Sequence, residues 1–290
     1  MLLKERALLT ALHLGAWGGQ AVDRQVTEEV SEAHKSDPKD SGKYSKQLIS
    51  RKALREVLGK IAVTRQTHKI LSLPWDDSSR ILSAQGYMHY TQQMRTCRLA
   101  VEGAAKKLAD SFPEHVKEAK IRLGTMFNSE DYPDAASVAK RYYVDVEIRP
   151  LPEAGDFRTK LADGTVKAIA KDIERRSKER LETAMKDVFE RVHTAVGRMA
   201  ERLSNYEPKA GEDKASNTFR DSLVYNIVEL ADLLPSLNIT DDERLADLAK
   251  RLKADLAQHS PDVLRSDVNL RKQVASKAEK LAKKVGAYLA

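Results

Sequence analysis

The chain has few cysteine and aromatic residues and no long apolar run. Its 290 residues include one cysteine, and aromatic residues make up only 6%. The lone Cys97 excludes an intrachain disulfide, and no segment approaches the roughly 20 apolar residues of a membrane-spanning helix. For the apolar run at 7–17 we expect a buried strand rather than a signal peptide, because Glu5 and His13 do not fit a signal sequence. The composition therefore predicts a cytoplasmic protein.

The sequence also lacks the motifs that carry common chemistries. Its seven histidines are scattered, and none has a second His or a Cys at metal-ligand spacing. No P-loop, zinc-protease, nucleophile-elbow or CxxC motif occurs. Asp76–Asp77 and Glu130–Asp131 would hold a divalent cation only if two distant segments met, and acids in loops and at helix starts are common without any metal. We therefore predict no enzyme, cofactor or metal site, and keep a carboxylate metal enzyme as an alternative.

The most prominent feature present is a helical stripe over Thr165–Leu203, where apolar residues return every three or four positions. Such a stripe is typical of a long amphipathic helix that needs an apolar partner along its length. We expect two long antiparallel helices, 86–110 continued by 114–127 and then 165–203, to bury each other's stripes, and part of the stripe to pair with another subunit. The predicted partner-helix interface comprises Ile173, Leu181, Met185, Val188, Val192, Val196 and Met199.

The rest of the pattern predicts a mainly α protein of the α+β class, with long antiparallel coiled-coil-like helices and a small three-stranded antiparallel sheet. Strands are expected at 7–17, 144–148 and 157–161, with an ordered loop at 71–86. Capping boxes are expected at Ser111 and Thr240. Further helices are predicted at 23–34, 45–70, 132–141, 218–234, 240–258 and 266–290. The predicted domains are a sheet and helix-hairpin domain at 1–204, a linker at 205–217 and a helical region at 218–290.

Positive charge is unevenly distributed along a chain whose formal net charge is +7. Between residues 43 and 69, eight Lys and Arg face the single acid Glu56. Closely spaced cations on a helix are what phosphate neutralisation requires. The alternative is a solvated basic face near an acidic neighbour elsewhere in the fold. The predicted nucleic-acid-binding residues are Lys43, Lys46, Arg51, Lys52, Arg55, Lys60, Arg65 and Lys69.

Aromatic side chains near this basic segment bear on the kind of nucleic acid. Tyr44, His68 and Trp75 could stack on unpaired bases, which favours single-stranded DNA. A second, weaker basic cluster lies at 265–290, where seven Lys and Arg accompany two acids. Basic C-terminal helices are common without any nucleic acid, so the prediction concentrates on residues 43–69.

Four groups of segments resemble an uncharacterised protein family encoded by bacteriophages and integrative elements. They are Leu73–Asp76, Phe127–Pro133, Arg149–Pro152 with Gly155–Arg158, and Phe219–Asn226 running on to Leu234–Thr240. The resemblance implies a mobile-element origin, a host-cell cytoplasmic location, and genes for recombination or for a MoxR-like AAA+ ATPase nearby. It implies no catalytic residues.

Besides the carboxylate metal enzyme, two functions remain open from the sequence. The first is a non-enzymatic phage or mobile-element accessory protein of DNA recombination or replication that binds nucleic acid electrostatically, with single-strand binding or annealing as its form. The order of strands before the long helix is a loose fold-level analogy with single-strand annealing proteins. The second is a coiled-coil adaptor or assembly partner of a MoxR-like ATPase, docking or self-associating through the long helix.

Overall fold

The structure is a computed structural model, and it describes residues 3–37, 39–152, 163–207 and 218–289. The chain divides into two compact units, each assembled from separated stretches. The first comprises Met1–Ala11, Ile70–Met88 and Ile148–Ala290, and the second comprises Leu12–Lys69 and His89–Glu147. These limits do not follow the predicted boundary at 205–217, because helices before and after it share one core.

The protein is mainly helical and of the α+β class, as predicted. None of the helices in the described stretches combines the length and apolar content that a bilayer crossing requires. The α-helices are α1 (Arg24–Ala33), α2 (Arg51–Ile70), α3 (Tyr87–Asp110), α4 (Phe112–Leu123), α5 (Ala135–Lys140), α6 (Asp163–Ser204), α7 (Ser222–Leu237), α8 (Glu243–Arg251), α9 (Pro261–Ser266) and α10 (Val268–Gly286). A π-helix, Leu252–Leu256, continues α8, and short 3₁₀ turns lie at Leu3–Glu5, Gly124–Met126 and Ser129–Asp131.

Two antiparallel sheets accompany the helices in the described part of the chain. The strands are β1 (Ala7–Gly15), β2 (Gln20–Val22), β3 (Ser45–Gln47), β4 (Leu73–Pro74), β5 (Arg80–Ser83) and β6 (Tyr143–Arg149). The larger sheet has the order β4-β5-β1-β6, and β2 pairs with β3 in the smaller one. In the larger sheet β1 and β5 align Ala7 with Ser83 and Thr10 with Arg80.

The predicted three-stranded sheet is therefore wrong. The segment at 71–86 forms β4 and β5 rather than a loop, with the expected burial of Trp75 between them. The predicted helix at 45–70 begins only at Arg51, because residues 45–47 form β3. The strand expected at 157–161 and most of the linker expected at 205–217 lie outside the described residues.

Several helix starts have side-chain caps, although neither predicted capping box forms. Asp23 accepts a hydrogen bond from the Val26 N–H at 3.2 Å and so caps α1. Ser111 does not cap α4, because its hydroxyl donates back to the Lys107 carbonyl at 3.0 Å. The cap of α8 is Asp242, two residues after the predicted Thr240.

The core of the first unit forms around the second half of α6. The buried part of the α6 stripe packs against α10, with α7 and α8 completing the cluster. The partner predicted at 86–127 is therefore replaced by a C-terminal helix. Met185, Val188, Val192, Val196 and Met199 are all buried in this core, whereas the described residues at 164–183 include no fully buried side chain.

In the second unit, α2 and α3 run antiparallel. Near one end, the Lys107 ammonium lies 3.0 Å from the Glu56 carboxylate. Near the other, His68 Nδ1 and the Tyr90 hydroxyl lie 2.7 Å apart, in a buried hydrogen bond. Because α2 positions 56 and 68 meet α3 positions 107 and 90, sequence numbers rise in opposite directions along the pair.

Candidate nucleic-acid interface

The basic segment 51–69 lies on α2, whose apolar spacing determines which residues face solvent. The hydroxyl of Ser50 accepts from the Ala53 N–H at 3.2 Å and supports the first turn. One side of the helix is buried, and the opposite side is left to water. The buried residues are Leu54, Val57, Ile61, Thr64 and His68.

The strand before α2 is held by side chains from further along the unit. Arg122 donates to the Gln47 carbonyl at 2.7 Å and to the Leu48 carbonyl at 3.1 Å. The Tyr132 hydroxyl donates to the same Leu48 carbonyl at 3.1 Å. These bonds fix residues 47 and 48, which come just before α2. Together with the buried side of α2, they determine which way the exposed face of α2 points.

The predicted cations of α2 are all exposed. With about 100° between successive residues, Arg51, Arg55, Arg65 and Lys69 lie along one flank of the helix over about 27 Å. Lys52 lies at the outermost line of the exposed face, and Lys60 is turned toward the flank that faces α3. Lys43 is exposed in the loop before β3.

Five of the α2 cations are not neutralised within the part of the chain that the structure describes. No ion pair joins Arg51, Lys52, Arg55, Lys60 or Arg65 to a carboxylate there. Glu56, the single acid of the segment, pairs instead with Lys107 at 3.0 Å. The alternative of an acidic neighbour covering the basic face therefore has no support among the described residues.

Lys46 is the exception among the predicted binding residues, and its placement is a correction. Its side chain is only 5% exposed and lies 2.8 Å from carboxylate oxygens of both Asp23 and Asp131. It also donates to the Met126 carbonyl at 2.8 Å. Three acceptors thus satisfy a buried ammonium group, and Lys46 belongs to the interior of the second unit rather than to a binding surface.

The ionisation states of this triad are mutually stabilised. The hydrogen bond from Lys46 lowers the pKa of Asp23 below its ordinary value, with help from the Val26 N–H. Burial works against the charge of Lys46, but hydrogen bonds to Asp131 and Asp23 outweigh it and raise the pKa of Lys46. Asp23 and Lys46 are therefore charged at neutral pH, and their pairing stabilises the second unit.

Two of the three residues expected to stack on bases are unavailable. His68 is 6% exposed and hydrogen-bonded to Tyr90, and Trp75 is 5% exposed. Tyr44, at 44% exposed, is the one that remains on the surface. The sequence-based preference for single strands therefore depends on Tyr44 alone.

The C-terminal basic cluster differs from α2 because most of its cations are paired. Arg271 is 5% exposed and donates to the Leu264 carbonyl at 3.0 Å, with its guanidinium 4.7 Å from the centre of the Tyr206 ring. The ion pairs are Arg265 with Asp262 at 2.9 Å and with Asp221, Lys277 with Asp255 at 3.2 Å, Lys283 with Glu279 at 3.1 Å, and Lys284 with Asp247 at 3.0 Å. This cluster is largely neutralised inside the first unit.

The residues predicted for a partner-helix interface serve mainly the internal core. Five of the seven, from Met185 to Met199, are buried in the first unit. Leu181 is partly buried against the same core, and Ile173 is half-buried. An adaptor that docks through the buried residues of this stripe would have to expose the core, whereas Ile173 lies in the half of α6 that has no fully buried side chain among the described residues.

The acids considered for a metal site have other partners. Asp76 accepts hydrogen bonds from the Ser78 and Ser79 N–H groups at 3.0 and 2.7 Å, and Arg180 lies 3.7 Å away. Asp131 is engaged with Lys46. Among the described residues, no group of three or more His, Cys, Asp or Glu side chains lies close enough to hold a metal ion.

Three of the segments that carry the family resemblance meet around β4 and β5. Arg149 donates to the Ser79 hydroxyl at 2.9 Å. The Ser83 hydroxyl donates to the Ser236 carbonyl in α7. The physical role of these segments is thus to join the sheet to helix α7, while Gly155–Arg158 lies outside the described residues.

Comparison of the chain with protein-family models, with curated proteins and with solved structures finds no match.

Proposed function

We propose that this protein binds nucleic acid electrostatically through the exposed face of α2, as a non-enzymatic accessory of DNA recombination or replication in a phage or mobile element. The observation that carries the proposal is that five exposed cations of α2 have no carboxylate partner among the described residues. The family resemblance supplies the proposed setting, in the host-cell cytoplasm.

The expected binding is dominated by counterion release. Each phosphate neutralised on a duplex contributes about −0.9 to the slope of log K against log salt, and on a single strand about −0.7. Five contacts from Arg51, Lys52, Arg55, Lys60 and Arg65 therefore predict a slope of about −4.5 on a duplex and about −3.5 on a single strand. Contacts of this kind position a nucleic acid without reading its sequence.

Single-stranded DNA remains the proposed ligand, now with Tyr44 as the stacking residue. A base stacked on an aromatic ring contributes about 1–3 kcal/mol. Tyr44→Ala should therefore weaken single-strand binding by about fivefold or more and leave duplex binding nearly unchanged. Equal effects on both would point to phosphate contacts alone.

The decisive test compares two variants of equal net charge. Arg51→Ala, Lys52→Ala and Arg55→Ala together should reduce the salt slope by about 2–3, measured by fluorescence polarisation of labelled oligonucleotides over a salt series. The matched control removes three cations of the C-terminal helix, Lys272, Lys280 and Lys283, and should leave the slope nearly unchanged. A salt slope that is unchanged in the α2 triple variant, or reduced equally in the control, would reject the α2 site.

A further inference from the structure

The exposed ion pair between α2 and α3 identifies an outward face shared by these two helices. The side chains of Lys107 and Glu56 are 72% and 55% exposed. Positions three or four residues apart lie on the same side of a helix. Gly59 therefore lies one turn from Glu56 on α2, and Gly103 lies one turn from Lys107 on α3. Because the helices are antiparallel, both glycines lie on the same side of the ion pair.

This α2–α3 face continues into two exposed apolar side chains. Val63 follows Gly59 by one turn and is 57% exposed, and Leu99 precedes Gly103 by one turn and is 59% exposed. A Cβ at Gly59 or Gly103 would meet nothing within 4 Å. Nothing described within the chain therefore requires glycine at either position, although glycine inside a helix costs about 1 kcal/mol relative to alanine.

The surroundings of the α2–α3 face are cationic. Lys60, Lys106 and Lys107 border it and are exposed. Neither Lys60 nor Lys106 has an ion-pair partner among the described residues. An occupant with apolar side chains and negative charge would complement this surface.

Helix α1 of the same unit has those properties, and the described residues cover its apolar side only in part. Valines at 26 and 30 give it an apolar side, yet Ser31 is its one fully buried residue, and Val30 is 43% exposed. Amphipathic helices of globular proteins normally bury their apolar side. Glu28, Glu29 and Glu32 are exposed on α1 and form no ion pair within the described stretches.

The apolar surface around α1 extends onto β2 and the residue before β3. Val22 is 48% exposed, and Tyr44 is 44% exposed. Tyr44 lies against the start of α1, because its N–H donates to the Thr27 hydroxyl at 3.0 Å and its carbonyl accepts from the Asp23 N–H at 2.9 Å. The α1 surface thus combines exposed apolar side chains with acidic ones.

We propose that the occupant of the α2–α3 face is α1 of a second copy of this chain. The apolar residues of α1 would cover Val63 and Leu99, and the glutamates on the flank beside Val26, Glu29 and Glu32, would pair with Lys60, Lys106 or Lys107. A two-fold axis makes this contact twice, with each copy offering both surfaces. The proposal does not rest on nucleic-acid binding. Arg51, Arg55 and Arg65 lie on the other flank of α2, whereas Lys52 and Lys60 lie on or beside the α2–α3 face, so self-association and nucleic-acid binding would compete for these two lysines.

The first test measures the mass of the full chain by light scattering after size exclusion, across a dilution series. The wild type should reach twice its 32.5 kDa mass as concentration rises. Leu99→Asp and Val30→Asp should each weaken self-association by about tenfold or more. The control is Ile121→Asp, which changes an 87% exposed apolar residue of α4 and should keep the wild-type mass.

The second test exchanges charges between the two surfaces. Glu29→Lys with Glu32→Lys should give a monomer, and so should Lys60→Glu with Lys106→Glu. Combining all four changes in one chain should restore the dimer, because opposite charges again face each other. A wild type that stays monomeric, a dimer that Leu99→Asp leaves intact, or a fourfold variant that stays monomeric would overturn the proposal. Circular dichroism checks that each variant is folded.

Discussion

The Lys107 ammonium lies 3.0 Å from the Glu56 carboxylate, so the single acid of the basic segment is neutralised by the neighbouring helix. Both side chains are more than half exposed, and such pairs add little to stability. The pair therefore matters for the surface potential of α2 more than for folding.

Replacing Glu56 tests this surface potential. Glu56→Gln should tighten nucleic-acid binding by about twofold to fivefold at low salt, because it removes a negative charge and releases Lys107. Polarisation titrations of the variant and the wild type measure the change. Weaker binding would contradict a ligand that is held by the cations of α2, and urea unfolding should show no significant loss of stability.

The buried triad should dominate the stability of the second unit. Lys46→Met leaves the carboxylates of Asp23 and Asp131 buried without their counterion, and we expect a loss of about 3–5 kcal/mol in the free energy of unfolding. Urea denaturation followed by circular dichroism measures it. Lys43→Met, at an exposed position three residues earlier, is the matched control and should stay within about 0.5 kcal/mol of the wild type.

The same triad predicts a pH dependence. Because the hydrogen bond from Lys46 lowers the folded-state pKa of Asp23, its contribution is present above the unfolded pKa of about 3.9 and is lost as pH falls through the lower folded value. The raised pKa of Lys46 gives the opposite limb, with stability lost as pH rises beyond about 10.4. Stability curves of Lys46→Met should lack the alkaline component and show a smaller acidic one, because the Val26 N–H still lowers the pKa of Asp23.

The ionisation of the Tyr142 hydroxyl at high pH reports on the interior of the second unit. Burial raises the pKa of its hydroxyl to about 12, and that hydroxyl donates to the Trp17 carbonyl at 2.7 Å. Its contribution to stability is present below pH 10 and is lost as pH rises toward 12. In an absorbance titration of tyrosinate, Tyr142→Phe should remove a late-titrating group and cost about 1 kcal/mol of stability. Loss of an early-titrating group would contradict this environment.

The stripe of α6 should behave as core. Val192 is fully buried against helices of the first unit, and Val192→Asp should cost more than about 4 kcal/mol. Thr194→Asp, two residues on at an exposed position, should change the unfolding free energy by less than about 1 kcal/mol. A folded Val192→Asp protein with normal stability would indicate that this stripe lies on the surface, and it would support the adaptor hypothesis.

Long periodic elements were predictable because their signal repeats many times. The stripe from Thr165 to Leu203 predicts one helix, and α6 is a single helix of 42 residues. The two-residue strand β4 gave no such signal, since Pro74 removes a donor and two residues show no alternation. The residue that pairs with Leu73 of β4 is Ile81, and Ile81 belongs to a strand of only four residues.

The binding surface was predictable only in its charge. A count of cations cannot separate Lys46 from its exposed neighbours, because the acids that bury it lie 23 and 85 residues away in the chain. For the same reason, a count of charges made the C-terminal cluster resemble a weaker version of α2, although most of its cations are paired. Spacing shows the pair of Lys283 with Glu279, whereas the pair of Lys284 with Asp247 depends on tertiary packing.

The order of the segments has a consequence for synthesis on the ribosome. All parts of the second unit have been translated once Glu147 is made, so that unit can fold while the rest is still emerging. The first unit includes helix α10, and the part of the α6 stripe that α10 covers stays exposed until α10 leaves the exit tunnel, although α7 is translated earlier. During that interval the nascent chain exposes an apolar helix face, and we expect ribosome-associated chaperones to bind it.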